Sequence, residues 1–309
     1  MKSITVVTPC YNEEENVRAM YEEVKRVFAG LPAYRYEHLF IDNASTDRTP
    51  DILRALAAED HGVKVIINTR NFGPVRSPVY GLLQGRGNAV IGLACDFQDP
   101  PTMIPQFLEA WEKGAKIVLG VKAGSEENRA MYAVRSSYYS LLARMADLEV
   151  VREATGFGLF DESVIEMMRR IGDPYPFLRG LIAEIGHDMV RIPYRQPERR
   201  HGVSKINFYA LYDVAFQGIV SHSKVPLRIA TLTGFATAAL SMLVALGYLV
   251  AKLLFWNQFS LGIAPILIGF FFLSSVQLFF VGVVGEYVGS IYTQVKNRPL
   301  VFEKERINF

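Results

Sequence analysis

Two stretches of this chain carry no charged side chain, Ile229 to Ala251 and Phe259 to Gly285. As helices rising 1.5 Å per residue they measure about 35 and 40 Å, enough to cross a hydrocarbon layer of about 30 Å with some tilt. Core helices of soluble proteins seldom stay uncharged for so long, so two transmembrane helices are expected. Lys224 and Arg228 precede the pair and Lys296, Arg298, Lys304 and Arg306 follow it, while the connection holds only Lys252. The positive-inside rule then puts both ends in the cytoplasm and a hairpin tip around Trp256 to Gln258 outside. Met1 to Thr8 is too short for a signal peptide, so the large N-terminal part is expected in the cytosol. The formal net charge of +2 argues against a nucleic-acid partner. Cys10 and Cys95 are too few for a disulfide framework and read as small apolar fillers in a reducing compartment.

Ahead of the apolar runs, about two hundred residues alternate strand and helix signals. Short apolar strands are expected at Ile4 to Val7, His38 to Ile41, Val63 to Ile67, Val90 to Ala94 and Ile117 to Gly120. Helices are expected from Asn12, as N-cap, toward Phe28, from Thr49 and Pro50 onward, and over Ser77 to Leu83 and Ile104 to Trp111. Phe177 to Ile185 reads as a further helix and Met189 to Ile192 as a short strand. Such alternation predicts an α/β fold with a mostly parallel sheet covered by helices on both faces.

In such a sheet, ligands bind outside the carboxyl ends of the strands. Three polar clusters fall there: Tyr11 to Glu13, Asp42 to Asp47, and Asp96 to Gln98 within LACDFQDPP. One cluster is unremarkable, because loops are polar in any case. Three on successive strand ends point to a nucleotide and a hard cation bound by oxygen ligands. Neither a phosphate-loop lysine motif nor GxGxxG follows the first strand, which excludes the commonest kinase and dinucleotide signatures.

Downstream, Arg129, Arg135 and Ser136 are candidates for holding a phosphate, against the plainer reading of a solvated helix face. Thr155 to Gly158 reads as a close backbone approach or a bulge. Pro197 to Lys205 is a basic loop whose Arg199 and Lys205 can close over a diphosphate or lie on a membrane surface. From Asn207 to Val220, apolar residues recur at three- and four-residue spacing, an amphipathic stripe expected to lie in the membrane interface. Gly282, Gly285 and Gly289 offer a small-residue face on the second span, a weak sign of homo-oligomers. Pro299 is expected to end that helix, with the last residues pairing with the sheet or with a neighbouring subunit.

Taken together, Pro9-Cys10-Tyr11-Asn12-Glu13-Glu14, Asp42 with Ser45 and Asp47, Asp96-Phe97-Gln98-Asp99-Pro100-Pro101, Arg199 to Lys205, and Gly285-Glu286-Tyr287 with Asn297-Arg298-Pro299 resemble the metal-dependent, inverting family 2 glycosyltransferases of GT-A fold. The likeness is to the polyprenyl-phosphate sugar transferases within that family and runs from Ile4 to Pro299. It implies a GT-A domain at 1–205, an interfacial helix at 206–226, a transmembrane hairpin at 227–293 and a cytosolic tail at 294–309. It further implies that Pro9, Tyr11, Glu13, Asp42 and Asn71 line the nucleotide pocket, and that Asp96 and Gln98 hold Mg²⁺ or Mn²⁺ on the donor diphosphate. Arg199, Ser204 and Lys205 correspond to a loop that closes over the phosphates, Ser204 also standing with Arg129, Arg135 and Ser136 as a candidate for the acceptor phosphate. Four positions depart from the family pattern. Ala94 replaces the first aspartate of Asp-x-Asp, Asn43 and Ala44 stand where Asp and Gly are usual, and Gly158 stands where Arg is common.

The activity implied is transfer of one sugar, from a UDP-sugar by preference, to polyprenyl phosphate at the cytoplasmic face of the membrane. Two alternatives stay open: transfer to a lipid hydroxyl with Asp47 or Asp99 as base, and a decayed nucleotide-sugar-binding scaffold.

Overall fold

The computed structural model describes residues 1–122, 154–197, 225–255 and 263–309. Arg129, Arg135, Ser136, Arg199, Ser204 and Lys205 lie outside these residues, as does the expected amphipathic helix up to residue 224. In chain order come β1 (Lys2–Cys10), α1 (Val17–Ala29), β2 (Tyr34–Asp42), α2 (Thr49–Glu59), β3 (Val63–Asn68), α3 (Gly73–Gln84), β4 (Ala89–Gly92), α4 (Ile104–Glu112) and β5 (Ile117–Lys122). After residue 153 follow β6 (Ala154–Asp161), α5 (Glu162–Ile171), α6 (Leu178–Ile185), β7 (Met189–Tyr194), α7 (Val225–Leu254), α8 (Ile263–Lys296) and β8 (Glu303–Ile307).

The strands form one sheet in the order β7-β5-β6-β4-β1-β2-β3-β8. β1 pairs in parallel with β2 and β4, β2 with β3, and β5 with β7, whereas β6 and β8 run antiparallel to their neighbours. Side chains of a strand alternate between faces, and both faces here are buried. Ile4 and Val6 of β1, with Phe40, Val65 and Ile91, pack against α1, α2 and α4. Val7, Leu39, Ile41, Ile66 and Val90 meet Leu82 of α3, Val164 and Met168 of α5 and Ile182 of α6. The expected mostly parallel α/β sheet is therefore the fold.

The close approach expected at Thr155 to Gly158 is present in β6. A Cβ at Gly158 would run into the Val118 carbonyl of β5, so no larger residue fits there. The β5–β6 register shifts between Leu119 and Val121, which is the bulge that the glycines presage. One helix start differs from expectation. α1 begins at Val17, and Asn12 is a loop residue whose carboxamide serves the neighbouring loop instead of capping the helix.

α7 and α8 are long and apolar enough to cross a membrane, over Val225–Ala251 and Gly269–Lys296. Leu232, Phe235, Leu243, Phe271, Leu278 and Phe279 all face outward. Several of their hydroxyls are satisfied locally. Thr231, Thr237 and Ser275 donate to the carbonyls of Leu227, Thr233 and Phe271, one turn back, as an apolar solvent requires. Val225 and Pro226, assigned on sequence to an interfacial helix, belong to α7.

Past α8 the chain is no free tail. β8 adds to the β3 edge in antiparallel register, Val301 is buried, and Thr69 donates its N–H to the Phe302 carbonyl at 2.9 Å. Arg54 grips Glu305 through Nε and Nη2, Tyr80 donates to Glu303 at 2.7 Å, and the Asn308 amide reaches the carbonyls of Ala57 and Val63.

Candidate active site

The carboxyl ends of β1, β2, β3 and β4 are neighbours, so the three polar clusters and the Asn71 loop share one sheet edge. The β1 and β2 loops are tied together by their own polar groups. Asn12, Glu13 and Glu14 donate their backbone N–H groups to Ser45 Oγ (2.8 Å), Thr49 Oγ1 (2.9 Å) and Asp47 Oδ2 (3.2 Å). In return Thr46 donates its N–H to Asn12 Oδ1 at 2.7 Å. The backbone donors of one loop are thus consumed by the side chains of the other. Tyr11 and Glu13, both half-buried, project from a loop fixed in this way. Glu13 also accepts from Asn16 Nδ2 at 2.6 Å.

Asp42, at the end of β2, is fully buried. Burial pushes its carboxyl above the usual range, while hydrogen bonds from the Ser45 N–H and hydroxyl pull it back. Its neighbour Asn43 organises the next loop. Asn43 Nδ2 donates to Asn71 Oδ1 (2.9 Å) and to the Gly73 carbonyl (3.1 Å), while its Oδ1 accepts the Phe72 N–H (2.9 Å) and Asn68 Nδ2 (3.2 Å). Asn71 Oδ1 takes the Gly73 N–H as well, at 2.7 Å. The Asn71 carbonyl is therefore spent on shaping the loop, and its amide nitrogen has no partner among the described residues.

On β4's side, Leu93 and Cys95 are buried, and Cys10 lies on the adjoining strand in the same core cluster. Both cysteines are free, and burial together with Cys95 drives the Cys10 thiol up, as befits an apolar filler. Asp96 is 6% exposed and its Oδ1 accepts the Gln98 N–H at 3.1 Å. Asp99 is equally buried but serves its own loop: Oδ2 accepts the Ala94 N–H (3.2 Å) and Oδ1 the Tyr194 hydroxyl (2.9 Å). Burial, aided by the Asp96 charge, pushes Asp99 up to about 6 against those two hydrogen bonds. Tyr194 ends β7, so this bond joins the Asp96 loop to the strand that precedes Arg199 and Lys205 in sequence.

Three residues other than glycine at this edge take left-handed backbone: Asn12 (φ 55°), Ala44 (φ 59°) and Phe97 (φ 62°). One sits in each of the loops after β1, β2 and β4. Such conformations cost about 1–2 kcal/mol each and persist where surrounding bonds over-determine them.

Asp96 and Gln98 offer a hard oxygen set of one carboxylate and one carboxamide. Among the described residues no group of three or more His, Cys, Asp and Glu could hold a metal ion. That set fits Mg²⁺ or Mn²⁺, which commonly rely on one or two carboxylates and complete their shell with water and substrate phosphates. The linking residues Asn12, Ser45, Thr49, Asn43 and Tyr194 were not singled out by sequence for these roles. Only the density of Asx, Ser and Thr after each strand hints at them.

The Glycosyl transferase family 2 model matches residues 5–168. The SfII prophage-derived bactoprenol glucosyl transferase of Shigella flexneri is 35% identical over 297 residues, covering 96% of each chain. The bactoprenol glucosyl transferase of Shigella phage SfX is 34% identical over 304 residues, covering 98% of this chain and 99% of its own. A prophage bactoprenol glucosyl transferase homolog of Escherichia coli K12 is 32% identical, again over 96% of both. With a family model over more than half of the chain and relatives above 30% identity over nearly all of it, this chain belongs to glycosyl transferase family 2.

Proposed function

We propose that the protein transfers one sugar from a nucleotide sugar, a UDP-sugar by preference, to polyprenyl phosphate at the cytoplasmic membrane face, with inversion at the anomeric carbon. The observation that carries this reading is the joining of an interlocked strand-end site to a hairpin of membrane length whose far end returns as β8 to the same sheet. Two crossings followed by pairing with β3 are consistent with the sheet and the C-terminal strand lying on one side of the bilayer. A long isoprenoid then stays in the membrane while its phosphate approaches the site. The names of the Shigella relatives support the acceptor and are consistent with glucose as the sugar.

The acceptor phosphate has a second pKa of about 6, so at cytosolic pH it is largely dianionic and attacks without a protein base. The two carboxylates best placed to serve a hydroxyl acceptor are otherwise engaged. Asp99 binds Tyr194 and Ala94, and Asp47 binds the N–H groups of Glu14 and Thr49. The demanding task is at the leaving nucleoside diphosphate. Mg²⁺ or Mn²⁺, when bound, neutralises charge developing on that diphosphate. Asp96 and Gln98 supply its protein oxygens, Arg199 and Lys205 add fixed positive charge, and Pro9, Tyr11, Glu13, Asp42 and Asn71 orient the nucleoside. Arg129, Arg135, Ser136 and Ser204 remain candidates for the acceptor phosphate.

Membranes containing the protein are expected to convert labelled UDP-glucose, or another member of a nucleotide-sugar panel, into lipid-extractable product. Asp96→Ala should lower that conversion by about a hundredfold or more, the scale of losing one transition-state charge stabiliser. Absence of product with every donor in the panel sinks the reading.

A further inference from the structure

Beside the Asn71 loop, two arginines share one aromatic ring. The guanidinium of Arg70 lies 4.1 Å from the Phe72 centroid and that of Arg76 lies 5.5 Å from it. Two like charges gathered on one ring repel, and neither has an acidic partner among the described residues. Arg70 donates only to the Asn71 carbonyl, at 3.1 Å, and Arg76 only to the Pro299 carbonyl, at 2.6 Å. Arg76 Nε is buried with no hydrogen-bond partner. The arrangement sits at the start of α3, whose first turn holds no acidic residue, so the helix adds positive potential where the arginines already concentrate it. Burial and Arg70 together lower the Arg76 pKa, the signature of a cation lacking its counter-charge.

The place of this cluster is as informative as its charge. Pro299 follows directly on the membrane-length segment that ends at Lys296, and Gln294 of the same helix is tied to the sheet domain by a 3.0 Å bond from its Nε2 to Asp173. Lys296 and Arg298 are both exposed there. The cluster therefore stands where the second span meets the sheet, one residue away from the Asn71 loop of the site. Planar guanidinium forks suit phosphate oxygens, and an aromatic ring keeps both forks ordered before the anion arrives.

We propose that Arg70 and Arg76, braced on Phe72, bind the phosphate of a membrane lipid at the junction of α8 with the sheet and hold it beside the strand-end site. The proposal rests on the lipid-phosphate reading above and adds a seat on the β3 side of the edge to the sequence candidates Arg129 and Arg135.

The test uses the full chain in phosphatidylcholine nanodiscs doped either with undecaprenyl phosphate or with phosphatidylglycerol, and counts the lipids retained by native mass spectrometry. Arg70→Gln with Arg76→Gln should lower retention about tenfold or more, and binding of UDP-glucose measured by calorimetry should be unchanged. Loss confined to undecaprenyl phosphate identifies the acceptor, and loss in the phosphatidylglycerol arm as well identifies a seat for bilayer phosphates at large. Arg70→Gln alone, which leaves the bond to Pro299 intact, should show the same direction and so guards against a misfolded double variant. Equal retention by wild type and both variants in both arms overturns the proposal. Because retention needs no turnover, a wild type that binds lipid through these arginines but uses no donor sinks the proposed function and leaves this site standing.

Discussion

At the scale of single residues, the departures from the family pattern have local physical consequences. Ala44 holds φ 59° where a glycine is usual, so Ala44→Gly removes strain and is expected to stabilise the protein by about 1 kcal/mol. A thermal midpoint raised by about 2–4 °C would register it. Asn43 works in the opposite sense. Its amide donates to Asn71 and Gly73, two bonds that a carboxylate cannot make. Asn43→Asp, although it restores the family's usual residue, should destabilise by about 1–3 kcal/mol, measured as a lower midpoint. These two residues mark what was legible. That Asp42, Asn43 and Asp47 follow a strand end was plain from the apolar run before them. That Asn43 and not Asp42 ties the β3 loop was not, because the order of polar residues does not say which backbone groups will come within 3 Å.

At the scale of elements, the strands and helices of the sheet domain followed from hydrophobic period and turn residues, with ends shifted by a few positions. β2 starts at Tyr34 where the apolar run suggested His38, because ladder bonds to β1 extend pairing into polar residues. β8 was the least legible element. Glu303 to Ile307 is mostly charged, and its strand state comes from the β3 edge together with Arg54, Tyr80 and the Ala57 and Val63 carbonyls that Asn308 reaches, all distant in sequence. Val301 is the buried anchor ahead of it. Val301→Asp places a charge in that position and should free the strand, seen as faster amide exchange across 301–307 and along Val63–Asn68 with the remaining strands still protected. Unchanged exchange at the β3 edge would contradict this account of the tail. The start of α5 carries a pH signature. Burial opposes ionisation of Asp161, but bonds from Ser163, Trp111 and Lys116 overcome it and hold the carboxyl at about 2. A depressed folded value means stability that is present above the unfolded value of about 4 and disappears as pH falls toward about 2. The stability gap between wild type and Asp161→Asn should therefore be full at pH 5 and close by pH 2.

At the scale of the whole molecule, the two apolar helices and the sheet are joined through β8. The uncharged runs announced the two helices, and the alternation announced the sheet. The sequence left open whether the last residues pair with this sheet or with a neighbouring subunit; they return as β8 from the second apolar helix to the β3 edge, beside the loop that carries Asn71, Arg70 and Arg76. In the proposed function, a sheet tied to the far end of the second apolar helix through Gln294 and β8 holds its strand-end loops near the bilayer surface, where a lipid phosphate serves as the nucleophile. That claim is tested most directly by reconstituting the purified protein in proteoliposomes with a labelled nucleotide sugar that it uses, and supplying either polyprenyl phosphate or the dephosphorylated polyprenol. The account predicts a lipid-linked sugar released by mild acid with the phosphate, none with the alcohol, and loss of product in Asp96→Ala. Equal transfer to the polyprenol, or an acid-stable product, would contradict it.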